Sequence, residues 1–217
     1  METIGMIGAG DMGSEIARVA IARGYRVVIA NSRGPETLHG LVDDLGPSAR
    51  AAHPAEAAAL GDFVILSFPL KVAHDLPVDE LAGKVVLDTN NYMVWRDGHI
   101  PVIDSGAKTV HELRQEQLPR SKVAKAFTHI QHERLLSAAR PAGHAERVAL
   151  AVSSDHPEAV VLVTRLYDLF GYDTVDHSPL SESWRNAPGQ PAWVRAGWQG
   201  REELLRNLRQ AKPAMRG

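Results

Sequence analysis

The chain has 217 residues, 44% of them hydrophobic, a formal net charge of −2 and no cysteine. That hydrophobic share supports a real core in one or two domains, and the near-neutral charge argues against nucleic acid or an anionic membrane as a partner. Absent cysteine excludes a disulfide framework, a thiolate nucleophile and Cys-based metal sites, no apolar run approaches the ~20 residues of a membrane span, and the N-terminus lacks the cationic and apolar stretches of a signal peptide, so a cytoplasmic enzyme is expected.

In chain order, Ile4-Gly5-Met6-Ile7 reads as a strand running into Gly8-Ala9-Gly10-Asp11-Met12-Gly13. This Gly-x-Gly-x-x-Gly turn seats a dinucleotide pyrophosphate on the following helix N-terminus. Gly8 permits the tight turn, Gly10 lets the backbone approach phosphate, and Gly13 lets helix and sheet pack closely. Residues 14–22 carry Ile16, Val19 and Ala20 on one helical face, Gly24 ends that helix, and residues 25–30 form a second strand. The result is a βαβ unit of about thirty residues.

The residues after the second strand select the dinucleotide. NAD-specific sites place a carboxylate there for the ribose 2′-hydroxyl, whereas this chain reads Asn31-Ser32-Arg33-Gly34. Ser32 offers a hydroxyl and Arg33 a permanently charged donor fork, which predicts NADP(H). The alternative is a solvated loop arginine.

Further on, residues 34–45 predict a helix with Pro35 near its first turn, 49–52 a short strand and 54–60 an alanine-rich helix. Residues 62–67 form an almost continuous apolar run, the pattern of a strand buried on both faces, which leaves the sheet through Ser67-Phe68-Pro69-Leu70. A strand within residues 81–91 closes in Asp88-Thr89-Asn90-Asn91, and residues 123–130 read as a sixth strand. Alternating helices and strands predict an α/β fold, a Rossmann-type doubly wound parallel sheet with ligands beyond the strands' carboxyl ends. Thr89 and Asn90 are expected at the nicotinamide, as uncharged groups that can hold a carboxamide or ring edge.

Between these strands, residues 92–99 read as a loop and 108–118 as a charged helix with a solvated face. Among ten histidines, His129 and His132 do not share a direction on a strand, and no third ligand lies near, so no metal is expected. His129 either lines the site or is a satisfied structural histidine.

The C-terminal part predicts a strand over 146–153, an apolar helix from His156-Pro157-Glu158 to Phe170 closed by Gly171, and a strand over 172–176. With Pro141-Ala142-Gly143 as boundary, residues 1–140 form the NADP-binding domain and 141–217 a small C-terminal α/β subdomain for substrate or dimerisation. Trp184, Trp193 and Trp198 sit among prolines, where they pack a joint or wall an aromatic pocket. Residues 201–212 predict a final surface helix, and this region could form a homodimer contact.

The glycine loop, Asn31 to Glu36, Phe68-Pro69-Leu70, Asp88-Thr89-Asn90-Asn91 and Lys125-Ala126-Phe127 followed by a polar pair and Ile130 together resemble the NADPH-dependent deazaflavin (coenzyme F-420) reductase family, also called F-420-dependent NADP oxidoreductases. The resemblance covers most of the chain and is more specific in the first 130 residues. It implies that Gly8, Ala9, Gly10, Asp11, Met12 and Gly13 hold the pyrophosphate, that Ser32 and Arg33 hold the 2′-phosphate, and that Pro69, Leu70, Thr89 and Asn90 line the nicotinamide; Asn31, Thr37, Ser67 and Phe68 complete the expected cofactor-binding set. Two positions depart from it. Thr128 stands where deazaflavin-binding members have histidine, with His129 next door, and Thr37 stands where they tend to carry lysine.

The expected activity is therefore hydride transfer between NADPH and a small-molecule acceptor, a deazaflavin (coenzyme F-420) or flavin. Such a transfer needs stacked rings and dry walls more than a protein acid. A small carbonyl or imine as acceptor would need a proton donor, for which His129 or Tyr92 is the candidate, with Thr89 and Asn90 beside it. A non-catalytic NADPH-binding sensor is the alternative from a different class.

Overall fold

The structure, a computed structural model, describes residues 1–70, 76–193 and 199–213. One eight-stranded sheet has the order β3-β2-β1-β4-β5-β6-β7-β8. Its first six members are β1 (Thr3–Ile7), β2 (Arg26–Ala30), β3 (Ala49–Ala51), β4 (Phe63–Leu66), β5 (Val85–Asp88) and β6 (Lys122–Lys125), all mutually parallel. β7 (Ala149–Ser154) joins β6 antiparallel, and β8 (Asp173–Asp176) continues parallel to β7. Residues beyond the expected boundary at 141 thus extend the same sheet.

The apolar alternation explains two-faced burial. Val27, Ile29, Phe63 and Ile65 point into the core shared by α1 (Asp11–Ala22) and α8 (Pro157–Phe170). Val28, Ala30, Val64 and Leu66 enter the opposite core, under α3 (Pro54–Leu60). Successive strand side chains face opposite ways, so a strand sandwiched between helix layers must be apolar throughout.

The remaining helices are α2 (His39–Leu45), α4 (Val94–Asp97), α5 (Pro101–Asp104), α6 (Val110–Gln117), α7 (Arg134–Ser137) and α9 (Arg201–Gln210). α4 corrects the loop expected at 92–99. α9 buries Leu204 and Leu208 against Ala149, Ala151 and Val175, so only part of it is surface. Among the described residues, no helix is long and apolar enough to cross a membrane.

The largest correction concerns the sixth strand, which ends at Lys125. Phe127 takes a positive φ of 56°, its N–H donates to the Tyr167 hydroxyl at 2.9 Å, and its ring meets Tyr167 edge-on at 4.9 Å. These contacts come from α8, forty residues away in sequence, and they overcome the β propensity of 126–130. His129 consequently sits on a turn, off the sheet.

Candidate active site

The crevice lies where strand order reverses, between β1 and β4. A Cβ on Gly8 would stand 2.0 Å from the Ser67 carbonyl oxygen, and one on Gly13 would stand 2.1 Å from the Gly8 carbonyl oxygen. Both glycines are therefore required by contact between the loop, the β4 exit and α1. Gly10 differs, because a Cβ there meets nothing within 4 Å. It is the N-cap of α1, has no side-chain cap, and opens the first-turn N–H groups to the outside. Such a cradle fits a pyrophosphate.

At the β2 exit, Asn31 is engaged within the loop. Its Nδ2 donates to Thr37 Oγ1 at 2.8 Å and its Oδ1 accepts from the Arg33 N–H at 2.9 Å. Thr37 in turn donates to the Gly34 carbonyl at 2.8 Å. Asn31 and Thr37 thus shape the loop, while Ser32 and the Arg33 side chain are exposed. The Glu36 carboxylate folds against Gly34, close to the same loop.

Beyond β5, Thr89 is pinned by its N–H and its hydroxyl, which both donate to the Leu66 carbonyl, at 3.1 and 3.0 Å. Asn90 is buried and donates through its N–H (3.0 Å) and its Nδ2 to Asp88 Oδ1. Asp88 Oδ2 pairs with Arg114 Nε at 3.0 Å, both side chains fully buried. Burial pushes the Asp88 carboxyl up, but Arg114, then His111 and the Asn90 hydrogen bonds, outweigh it and hold it below the ordinary value. The Arg114 guanidinium also lies 5.5 Å from the ring centroid of Phe68 and so supports the β4 exit from behind.

Lys125 is the register partner of Asp88 across β5 and β6. It is buried, and its Nζ donates to the Ser183 carbonyl at 2.6 Å. Burial lowers its pKa to about 7, with Asp88 resisting. The sign of the resulting pH dependence follows. Between this folded value and the ordinary 10.5, the unfolded chain binds more protons, so stability rises with pH across that window. Below about 7 both states are protonated and the full burial cost stands. Wild-type protein should gain melting temperature between pH 7 and 9.5, and Lys125→Met should flatten that gain. Equal slopes in the two proteins would refute the assignment.

Asn90, Tyr92, His111, Lys125, Ser183 and Trp184 are among the residues enclosing a cavity of about 490 Å³. Its lining includes the start of α6, whose N-cap Thr109 forms a reciprocal capping box with Glu112. α6 corrects the solvated helix expected at 108–118, since His111 and Arg114 are buried.

His129 lies outside this cavity's lining and is itself buried. Its Nε2 accepts from the Ala151 N–H at 3.3 Å, and its Nδ1 lies 3.2 Å from the Asn186 amide. The Asn186 atom that faces Nδ1 is Nδ2, and Asn186 Oδ1 has no partner among the described residues. Burial, then Lys125, lowers the His129 pKa to about 3. Both nitrogens are engaged and the ring is neutral, so a structural role replaces the expected proton-donating one. Tyr92 does line the cavity, but its hydroxyl donates to Asp104 at 2.6 Å, and burial followed by that bond raises its pKa. Trp193 Nε1 donates to the Thr128 carbonyl at 3.2 Å, making it a joint, whereas Trp184 is a wall. Trp198 lies outside the described residues. No group of three or more His, Cys, Asp or Glu side chains converges among the described residues.

His111, Arg114, Lys125 and Ser183 were not singled out from sequence as site residues. A usable signal existed in Thr109-x-x-Glu112, which marks a helix start and places His111 and Arg114 three residues apart on one face.

Strand, glycine turn, helix and switch-point crevice define an α/β fold of the Rossmann type. Residues 3–92 match the family described as NADP oxidoreductase, coenzyme F420-dependent. Protein YjhV of Escherichia coli (strain K12) is 31% identical over 83 residues, a match spanning 38% of this chain and 57% of that protein. Among solved structures, protein SMa0349 of Sinorhizobium meliloti is similar with a TM-score of 0.72 and 29% identity, covering 92% of this chain and 95% of its own. A proposed F420-dependent NADP-reductase from Arthrobacter sp. FB24 shares the fold at TM-score 0.70 and 21% identity, over 84% of this chain and 87% of that one.

Proposed function

We propose that the chain is an NADPH-dependent oxidoreductase that passes hydride to a planar deazaflavin- or flavin-type acceptor in the cavity beside Asn90. The observation that carries this reading is the cavity itself. It begins at the carboxyl end of β5, next to the strand whose exit touches the glycine loop, has Trp184 as one wall, and at about 490 Å³ has room for a tricyclic ring. The open cradle at Gly10 and the exposed Ser32 and Arg33 suit the pyrophosphate and the 2′-phosphate. Bound NADPH would supply the hydride. Thr89 and Asn90, fixed by Leu66 and Asp88, would orient its nicotinamide without imposing charge.

Steady-state NADPH oxidation with a deazaflavin, FMN, FAD and a carbonyl and imine panel tests the reading. Turnover with the tricyclic acceptors supports it, turnover with only carbonyls or imines favours that class, and silence on all favours a sensor. Arg33→Ala should raise the dissociation constant for NADPH by about 10–150-fold, since a charge-assisted contact contributes ~1.5–3 kcal/mol, and leave NADH nearly unchanged. Equal losses for both dinucleotides would sink the 2′-phosphate assignment.

A further inference from the structure

The residues that directly follow β2 include no carboxylate, but the fold brings one back to the same loop. Pro35–Leu38 form a 3-10 turn that lays the Glu36 side chain against Gly34, where its Oε2 and Cδ stand 2.6 and 2.7 Å from the place a Gly34 Cβ would take. The gap is open because residue 34 is glycine, at φ 99°.

This carboxylate lies in a loop whose shape it does not set. Asn31 is engaged on both sides of its amide, by Thr37 Oγ1 and by the Arg33 N–H. Thr37 spends its one hydroxyl hydrogen on the Gly34 carbonyl and has none left for a phosphate. The side chains left to meet a ribose 2′ substituent are Ser32, Arg33 and Glu36, all exposed. Among the described residues, neither the Arg33 guanidinium nor the Glu36 carboxylate is held in an ion pair, so the loop offers one free charge of each sign.

We propose that Glu36 determines dinucleotide specificity: its carboxylate opposes the 2′-phosphate that Arg33 attracts and accepts a hydrogen bond from the 2′-hydroxyl of NADH. The inference rests on the 2′-phosphate reading of Ser32 and Arg33 above and deepens it, since the loop then prefers NADPH without rejecting NADH. A phosphate monoester carries nearly two negative charges at neutral pH, so a carboxylate in the same loop weighs against it, whereas a hydroxyl is neutral and can donate. NAD-specific sites place their carboxylate directly after the second strand. Here the 3-10 turn supplies it from a few residues further on, beside the arginine rather than in place of it.

Glu36→Gln keeps the size of the side chain and removes its charge. NADPH and NADH are titrated into the full chain, with binding followed by nicotinamide fluorescence, at about 0.02 M and about 0.5 M NaCl. At low salt the variant should bind NADPH about 3–10-fold more tightly than wild type and NADH no more tightly. The gain should shrink at high salt, because exposed charges are screened, whereas a change in loop packing would persist. Asp44→Asn, which removes an equal charge from the exposed surface of α2, should leave the ratio of the two affinities as it is. An unchanged ratio in Glu36→Gln, equal tightening of both dinucleotides, or a gain that salt leaves untouched overturns the proposal. If Arg33→Ala weakens NADPH selectively while Glu36→Gln changes nothing, the role of Glu36 falls and the 2′-phosphate reading stands. If Glu36→Gln shifts the ratio but Arg33→Ala weakens both dinucleotides equally, Glu36 keeps its role and the assignment of Arg33 falls. Binding of neither dinucleotide by the wild-type chain overturns both.

Discussion

Arg114→Met is expected to lower the unfolding free energy by about 3–5 kcal/mol, the usual loss when one partner of a buried ion pair is removed. Arg114 and Asp88 are both fully buried, and the guanidinium also donates to Gln117 Oε1 at 2.7 Å. Taking it away leaves a carboxylate inside the sheet edge with Lys125 as its remaining cation. Desolvation then drives Asp88 toward protonation, and the cost is taken from folding. Urea unfolding at pH 7 measures it. The double variant Arg114→Met, Asp88→Asn should recover a substantial part of the loss, because no charge is then orphaned. A single variant within about 1 kcal/mol of wild type would show that the buried pair contributes little to folding. The comparison with Arg147 sharpens this expectation. Its carboxylate partners Asp168 and Asp173 are 65% and 40% exposed at the side chain, so each of those ion pairs should contribute only about 0–1 kcal/mol.

The same cluster marks where sequence reading stopped. Strands β1, β2 and β4 and the glycine loop are legible because each is set by local signals, continuous apolar runs and obligatory glycines. Helix α8 is legible for a similar reason, with Pro157 at its start and Gly171, at φ 97°, closing it. The floor of the cavity is not local. Lys125 looks like an ordinary strand-end lysine until β5 sets Asp88 beside it, and Ser183 belongs to a 3-10 turn over Leu180–Asn186 that arrives from the far end of the chain. His111 and Arg114 follow a hydrophilic helix pattern that predicts solvent, and only the packing of α6 over the strand ends buries them. His129 misled for the opposite reason. Its neighbours look like a strand, but Tyr167 holds Phe127 in a left-handed turn and swings the imidazole towards Ala151 and Asn186.

Gly10→Ala should leave the fold intact and remove binding of both NADPH and NADH. The backbone at Gly10 has φ −81° and ψ −173°, which alanine adopts without strain, and its Cβ would meet no protein atom within 4 Å. Melting temperature should therefore stay close to wild type, as for a surface substitution within about 0.5 kcal/mol. The open space is where a pyrophosphate must approach the N-terminus of α1, so a methyl group there blocks the ligand and nothing else. Affinity for both dinucleotides should fall by at least about thirtyfold, the equivalent of ~2 kcal/mol. Gly8→Ala separates this effect from damage to the loop. Its φ of 114° and a Cβ 2.0 Å from the Ser67 oxygen predict a loss of stability together with binding. Calorimetric melting and nicotinamide fluorescence titrations on the two variants distinguish the cases. Retained affinity in Gly10→Ala would place the dinucleotide away from the glycine loop, and with it the cavity beside Asn90 would lose its hydride source.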